Sequence, residues 1–284
     1  TGIHPLALPD ARPVVAGSTI RSAKYLILEH KEGRSSVGIN WYGGRHHAKK
    51  SSASGFCYVN DIVLGINVLR THFPKVFYLD LDLHHGDGVE KAYKFSSKVL
   101  TCSIHMFDIG FFPGTGSITD KKMVNIPTKK GLNDQSFQYI VENAIKPIIE
   151  DFGPSAMVIQ LGADGLGTDK AKEWNLTIKG YTSAVHKLIY EITVDQSFIP
   201  TLLLGGGGYN HKDTARLWTN VTQMAVDPSK ALDDDIPDSP VVEQFYEDRY
   251  KFWNQENSNP RKVKDYNENL STTVEKILSD YGIS

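Results

Sequence analysis

The chain has 284 residues, of which 40% are hydrophobic and 23% charged, and a formal net charge of −2. That composition suits one globular domain with a sizeable core. Without a clustered Lys/Arg run it excludes nucleic acid as the main ligand, because neutralising phosphates needs such a cluster.

Cys57 and Cys102 are the only cysteines, which excludes a disulfide framework or a cysteine zinc knuckle and points to a reducing compartment. No apolar stretch approaches the length of a membrane span, and the opening TGIHPLALPD has neither the charged nor the apolar region of a signal peptide. The chain starts on Thr1 rather than Met, as expected of a segment of a longer protein. The basic pairs Lys49–Lys50 and Lys129–Lys130 are expected on the solvated surface.

In chain order, β-rich runs alternate with helical periodicity. A helix over Ser18–Glu29 precedes a strand at Val37–Asn40, a helix over Ile62–Thr71 and strands at Val76–Asp80 and Val99–Ile104. A helix over Phe137–Asp151, a strand at Ala156–Leu161, a helix over Gly180–Ile192, a strand at Thr201–Leu204 and a helix over Thr214–Val226 follow. The stretch from Asp227 to Pro260, rich in Asp, Pro and Asn, is read as an acidic, irregular surface segment, with a last helix near Thr272–Tyr281 packing back on the domain. The alternation predicts an α/β single domain with a mostly parallel central β-sheet and helices on both faces.

In open parallel sheets ligands bind outside the carboxyl ends of the strands, and the polar clusters of this chain fall there. GGRHHAKKSSASGF (Gly43 to Phe56) follows the first strand and DLDLHHGDG (Asp80 to Gly88) the second. SIH (Ser103 to His105), LGADG (Leu161 to Gly165) and GGGGY (Gly205 to Tyr209) close the other three. Alternation along DLDLHH puts Asp80, Asp82 and His84 on one side and Leu81 and Leu83 on the other. Asp82 and His84 then form a half-site for a divalent metal, and Asp164 is the candidate third ligand. Two carboxylates, one imidazole and an open position fit a catalytic Zn²⁺ site, and the oxygen-rich set also suits Fe²⁺. Any one of these acids is most simply a strand-end cap. Jointly, burying so many ionisable groups is costly unless they are paired or metal-bound.

The adjacent His46 and His47 suit proton transfer if something sets their tautomers, and Asp80 and Asp87 are candidates for that role. A metal cation brings the pKa of water down to about 7, so one histidine could then take its proton. A surface HH in a loop is the alternative. GGGGYN lacks both the Lys-Ser/Thr of a Walker loop and dinucleotide-fingerprint spacing, so its glycines are read as letting backbone pass close to a ligand. Tyr209 would donate to a developing oxyanion there, or else be a buried aromatic. Phe56, Phe111 and Phe112 are core residues by default, and between loop glycines they are also candidates for the wall of a narrow apolar tunnel.

The stretches GGRHHAKKSSASGFCYVND, YLDLDLHHGDGVE, FFPGTG, LGAD, NLTIKGY and LLLGGGGYN, in this order over most of the chain, resemble the zinc-dependent histone deacetylases of class I. The wording is most similar to the lineage of histone deacetylase 8 and the fungal Hos-type enzymes. The resemblance implies an arginase-deacetylase fold over residues 1–284, without the family's N-terminal segment, and hydrolysis of N6-acetyl-lysine to lysine and acetate. It implies Zn²⁺ on Asp82, His84 and Asp164, and a structural K⁺ held through Asp80, Asp82, His84, Ser103 and Ile104. It makes His46 and His47 the general base and acid pair, backed by Asp80 and Asp87, and Tyr209 the group polarising the acetyl carbonyl. Gly55, Phe56, Phe112 and Gly207 would line the acyl-lysine tunnel, and Ala171, where the family has a larger side chain, implies a wider mouth. The implied partners are an acetylated histone tail or cohesin subunit and a corepressor complex, in the nucleus or cytoplasm, with no direct nucleic acid or membrane. Alternatives are an acetylpolyamine or other small-molecule amidohydrolase, and a non-catalytic acetyl-lysine-binding scaffold.

Overall fold

Every residue of the strands Val76–Asp80 and Val99–Met106 is buried, as expected of strands covered on both faces. The computed structural model describes residues 12–194, 197–237, 240, 251–258, 260 and 262–283. A six-stranded parallel sheet forms its centre: β1 (Val37–Asn40), β2 (Val76–Asp80), β3 (Val99–Met106), β4 (Met123–Thr128), β5 (Ala156–Gln160) and β8 (Thr201–Leu204), in the order β1-β8-β5-β2-β3-β4. The short strands β6 (Thr193–Val194) and β7 (Ser197–Phe198) pair separately as an antiparallel ribbon. β2 lies between β5 and β3, so its exit at Asp80 is flanked by Gln160 and Ser103 in register.

Side-chain alternation sorts the sheet into two cores. Val76, Tyr78, Val158, Leu202 and Leu204 face α1 (Arg12–Lys31), α2 (Asp61–Leu69) and α3 (Asp87–Tyr93). Phe77, Leu79, Ile104, Ile159 and Leu203 face the opposite layer. That layer contains α4 (Asp134–Ile140), α5 (Lys146–Phe152), α6 (Ile178–His186), α7 (His211–Val226) and α8 (Leu270–Tyr281). Leu79, fully buried on the larger side, gives a direct test of this packing. Leu79→Ala is expected to cost about 2–5 kcal/mol, read as a lower urea midpoint with an unchanged m-value.

Asn60, Asn133, Thr177 and Asn210 cap the helices that follow them through side-chain oxygens. The single helix expected over Phe137–Asp151 is α4 and α5 joined through a π turn at Val141–Ile145. Pro147 sits in the first turn after it, and its nitrogen donates nothing to the helical ladder. The helix expected over Gly180–Ile192 likewise ends in a π turn at Lys187–Glu191.

Besides the short β6–β7 ribbon, β4 and α3 were not foreseen. β4 carries Pro127, which an edge strand tolerates, and α3 begins inside the polar cluster itself. The irregular surface expected from Asp227 to Pro260 is corrected at its C-terminal part. Phe252 and Asn257 are buried, and the Asn257 amide donates to Phe252 O at 3.0 Å. Residues 241–250 of that stretch, like Thr1 and its neighbours to residue 11, lie outside the described residues. Among the described residues no helix is long and apolar enough to cross a membrane.

Candidate active site

The chain leaves β2 at Asp80 and stays irregular to Gly86, yet the alternation continues, with Leu81 and Leu83 in the larger core and Asp82 and His84 on the site side. One ligand atom from each of Asp82, His84 and Asp164 lies within 4.8 Å of the others. Asp82 Oδ2 accepts from Gln160 Nε2 (2.9 Å) and from the Gly207 backbone N–H (2.8 Å). Asp164 Oδ1 accepts from the Leu83 N–H (3.0 Å). His84 Nδ1 faces Asp164 Oδ2 at 2.9 Å and Asp82 Oδ1 at 3.2 Å, and the Phe111 ring stacks on its face. Glycine is needed at 162 and 207, where a Cβ would fall 2.1 Å from Asp82 Oδ2 and 2.3 Å from Asp164 Oδ2.

The charges show why a cation fits. Burial and then the Asp82 charge push Asp164 up to about 7. Burial opposes ionisation of Asp82 too, yet His46 and His84 hold it well below the usual carboxylate range. Burial lowers His84, but hydrogen bonds to Asp164 and Asp82 outweigh it and raise the imidazole to about 10. Like charge on two buried carboxylates leaves one ionised and the other held protonated toward neutral pH, a repulsion that a divalent cation held by Asp82, His84 and Asp164 would relieve, and the donor set suits Zn²⁺ or Fe²⁺.

His46 and His47 are both buried, so the surface reading of HH is set aside. His46 Nδ1 meets Asp80 Oδ2 at 2.8 Å, and the same oxygen accepts from the Tyr78 hydroxyl at 2.5 Å. His47 Nδ1 meets Asp87 Oδ1 at 2.8 Å. The second Asp87 oxygen lies 2.6 Å from Lys49 Nζ. Lys49, expected as solvated surface, is therefore part of the site. The expectation failed because a charge pair reads as surface unless a carboxylate 38 positions away folds onto it.

Burial lowers His46, but the Asp80 and Asp82 charges overcome it and carry it to about 9. His47 is lowered, first by burial and then by the charge of His46. Without a cation on Asp82 and Asp164, the pair therefore divides at neutral pH into a cationic His46 and a neutral His47.

A cavity of about 220 Å³ opens on these groups, lined by His46, His47, Asp82, His84, Phe56 and Tyr209 among others. Gly55 and Gly207 also line it. A Cβ on Gly55 would fall 2.2 Å from His47 Cδ2. Phe56, a core residue by default, is instead 80% exposed, with φ 61°. Phe112 stands beside this lining, edge-on to His47 with ring centroids 4.9 Å apart. Ala171 packs against the larger core. Tyr209 is held by its own N–H to Asp169 Oδ2 (2.7 Å), and burial, then Asp164 and Asp82, raise its hydroxyl above the ordinary value. It therefore stays a phenol, a donor facing the cavity. Ser103 pairs in register with Asp80, and its hydroxyl meets His105 Nδ1 at 2.9 Å; Ile104 is buried beside it.

Asp169, Gln160, Tyr78 and Lys49 are site residues that sequence reasoning missed. Gln160, a buried amide closing β5 immediately before LGAD, carried a signal of its kind. Asp169 did not, since nothing local ties it to Tyr209.

Fold and site together define a parallel α/β protein whose strand ends join a triad able to hold a cation to carboxylate-backed histidines. The family model for the histone deacetylase domain matches residues 6–225. The chain is 42% identical over 243 residues to histone deacetylase 8 of Xenopus laevis, covering 83% of this chain and 71% of that protein. It is 37% identical over 301 residues to histone deacetylase HOS1 of Saccharomyces cerevisiae, covering 96% of this chain and 62% of that protein. It is 40% identical over 240 residues to histone deacetylase 9 of Arabidopsis thaliana, covering 82% of this chain and 54% of that protein. The chain belongs to the histone deacetylase family, hydrolases that act on amide bonds.

Proposed function

We propose that this chain hydrolyses the acetyl amide of N6-acetyl-lysine in a protein substrate, with zinc on Asp82, His84 and Asp164. The observation that carries the reading is the convergence of that triad, two Asp-backed histidines and the Tyr209 phenol on one cavity. A divalent cation there would supply a Lewis acid for the carbonyl and acidify a water.

The chain's own groups cover the remaining demands of an amide, a poor electrophile with a poor leaving group. Neutral His47, its Nδ1 engaged by Asp87, takes the proton of the attacking water and returns it to the departing lysine nitrogen. His46, cationic on Asp80, stabilises negative charge growing at the carbonyl. This proposed division gives both proton transfers to His47, where the resemblance implies a general base and acid pair shared by His46 and His47. Tyr209 donates to the same oxygen, while Phe56 and Phe112 flank the four-methylene stem and exclude water.

A histone tail is the proposed substrate and a cohesin subunit the alternative, within a corepressor complex in the nucleus or the cytoplasm. The names of the relatives, histone deacetylases, support the first. Two free, buried cysteines suit either compartment. A K⁺ held near Asp80, Ser103 and Ile104 is proposed as structural.

The test compares acetate release from an acetyl-lysine peptide and from an acetylpolyamine by zinc-loaded protein whose metal content is measured. Faster turnover of the peptide is expected. A preference for the polyamine, or no turnover of either by loaded protein, overturns the reading. Tyr209→Phe is expected to lower kcat by about 10²–10³ with the fold retained, the scale for one lost oxyanion donor.

A further inference from the structure

We propose that Lys49 is a positioning residue for proton transfer: its ammonium clamps Asp87, and through that carboxylate fixes His47, from a second cavity behind the reaction site. In its kinetic arm this rests on the acyl-lysine reading above.

The geometry is a three-membered chain. Asp87 gives one oxygen to His47 Nδ1 at 2.8 Å and the other to Lys49 Nζ at 2.6 Å. A carboxylate held by one oxygen can still turn about its broad terminal torsion. A charge-assisted contact on the second oxygen removes that freedom. Asp80, the carboxylate behind His46, shows the same need met differently: the Tyr78 hydroxyl shares its Oδ2 and the Asp82 N–H, at 3.2 Å, occupies its Oδ1. Asp87 opens α3 after Gly86, which makes no side-chain cap bond. Lys49 does for Asp87 what Tyr78 and the Asp82 amide do for Asp80.

The clamp is built in by close backbone packing. Gly88 N donates to His46 O at 3.0 Å, and a Cβ at Gly88 would fall 2.4 Å from His46 O and 2.6 Å from Ala48 O. The stretch carrying His46, His47 and Lys49 therefore lies directly on the start of α3, and Lys49 N is itself held by Ser52 O at 3.0 Å. The Lys49 side chain is 28% exposed. It lines a cavity of about 660 Å³ with Lys50, Lys91, Tyr58 and Asn60, and that cavity shares no lining residue with the reaction cavity. Small solutes can thus reach the ammonium without passing the substrate.

The experiment uses zinc-loaded wild type, Lys49→Ala and Lys49→Arg, with two independent readouts. Lys49→Ala is expected to lower kcat about 10–100-fold, the usual scale for a partner one shell removed, with KM nearly unchanged. Lys49→Arg should keep most of the activity. Ethylammonium, entering the second cavity, should restore part of the kcat of Lys49→Ala, and ethanol should not. Independently of turnover, the downfield proton resonance of the His47 N–H bonded to Asp87, assigned by its disappearance in Asp87→Asn, should broaden or vanish in Lys49→Ala and persist in Lys49→Arg. An unchanged resonance in Lys49→Ala overturns the proposal, as does a loss confined to KM or a kcat deficit that neither arginine nor ethylammonium repairs. Should wild type fail to turn over acetyl-lysine, the functional reading falls, and the resonance still decides whether Lys49 holds His47.

Discussion

Exchanging Asp164 for Asn is expected to take turnover of an acetyl-lysine peptide to background and to remove, in the same protein, any rise in melting temperature on adding zinc. The carboxylate is one of three donors within 4.8 Å of one another, and a neutral amide gives a cation neither charge nor a second strong oxygen. The fold has reason to survive, because an Asn oxygen can still accept the Leu83 N–H that Asp164 Oδ1 accepts at 3.0 Å. If zinc is the ligand, a hundredfold excess over its dissociation constant would stabilise the native state by about 2.7 kcal/mol, and that increment is what the variant should lose. Metal analysis and a thermal scan of both proteins check it. A variant that keeps one zinc per chain and its turnover removes Asp164 from the site.

The same residue gives the metal-free protein a pH signature. Asp164 has its pKa raised by burial and by the Asp82 charge to about 7 from a usual 3.8. Its contribution is fully present below the unfolded value, near pH 4, and is lost as pH rises through about 7. At about 1.4 kcal/mol per tenfold the loss is on the order of 4 kcal/mol at most, and the ion pair with His84 at 2.9 Å offsets part of it. Chelated wild type should therefore lose stability relative to chelated Asp164→Asn between pH 4 and pH 7. Parallel curves for the two proteins would mean that the two carboxylates do not share charge as the geometry requires.

How far the sequence reached depended on whether a residue's partner was near in the chain or implied by strand geometry. Five of the six strands of the central sheet were legible from β-rich runs, and the direction of the sheet from their alternation with helices. Asp80, Asp82 and His84 fell on one side because alternation outlasts the strand. For the union of His46 with Asp80 and of His47 with Asp87, the demand that a carboxylate set each tautomer named the two acids as candidates, and the resemblance paired them. Lys49 and Asp169 were beyond reach. Each acts through long-range contacts, Lys49 on Asp87 and Asp169 on the backbone N–H groups of Tyr209 and Asn210, and no local pattern encodes such contacts. β4 was missed for a related reason: Lys121 and Lys122 precede it and Pro127 interrupts it, and only its place at the sheet edge makes that tolerable.

The two histidines should fail differently when removed, which distinguishes the base from its charged neighbour. His47→Ala is expected to lower kcat by about 10²–10⁴, the range for a lost general acid–base group, while His46→Ala should cost less because electrostatic support from Tyr209 remains. The pH profiles carry the sharper distinction. Burial and the His46 charge press His47 below its usual 6.5, so the acid limb of kcat/KM in wild type should lie below that value. Asp80 and Asp82 raise His46 to about 9 against its burial, which sets the alkaline limb. A cation on Asp82 takes up part of that negative charge and brings this limb to lower pH. Removing His46 deletes the alkaline limb. It also takes a positive charge away from His47, whose ring centroid is 3.9 Å off, so the pKa of His47 rises and the acid limb moves to higher pH. If His46→Ala is instead the more damaged variant and the acid limb stays where it was, the proton passes through His46 and the two roles are exchanged.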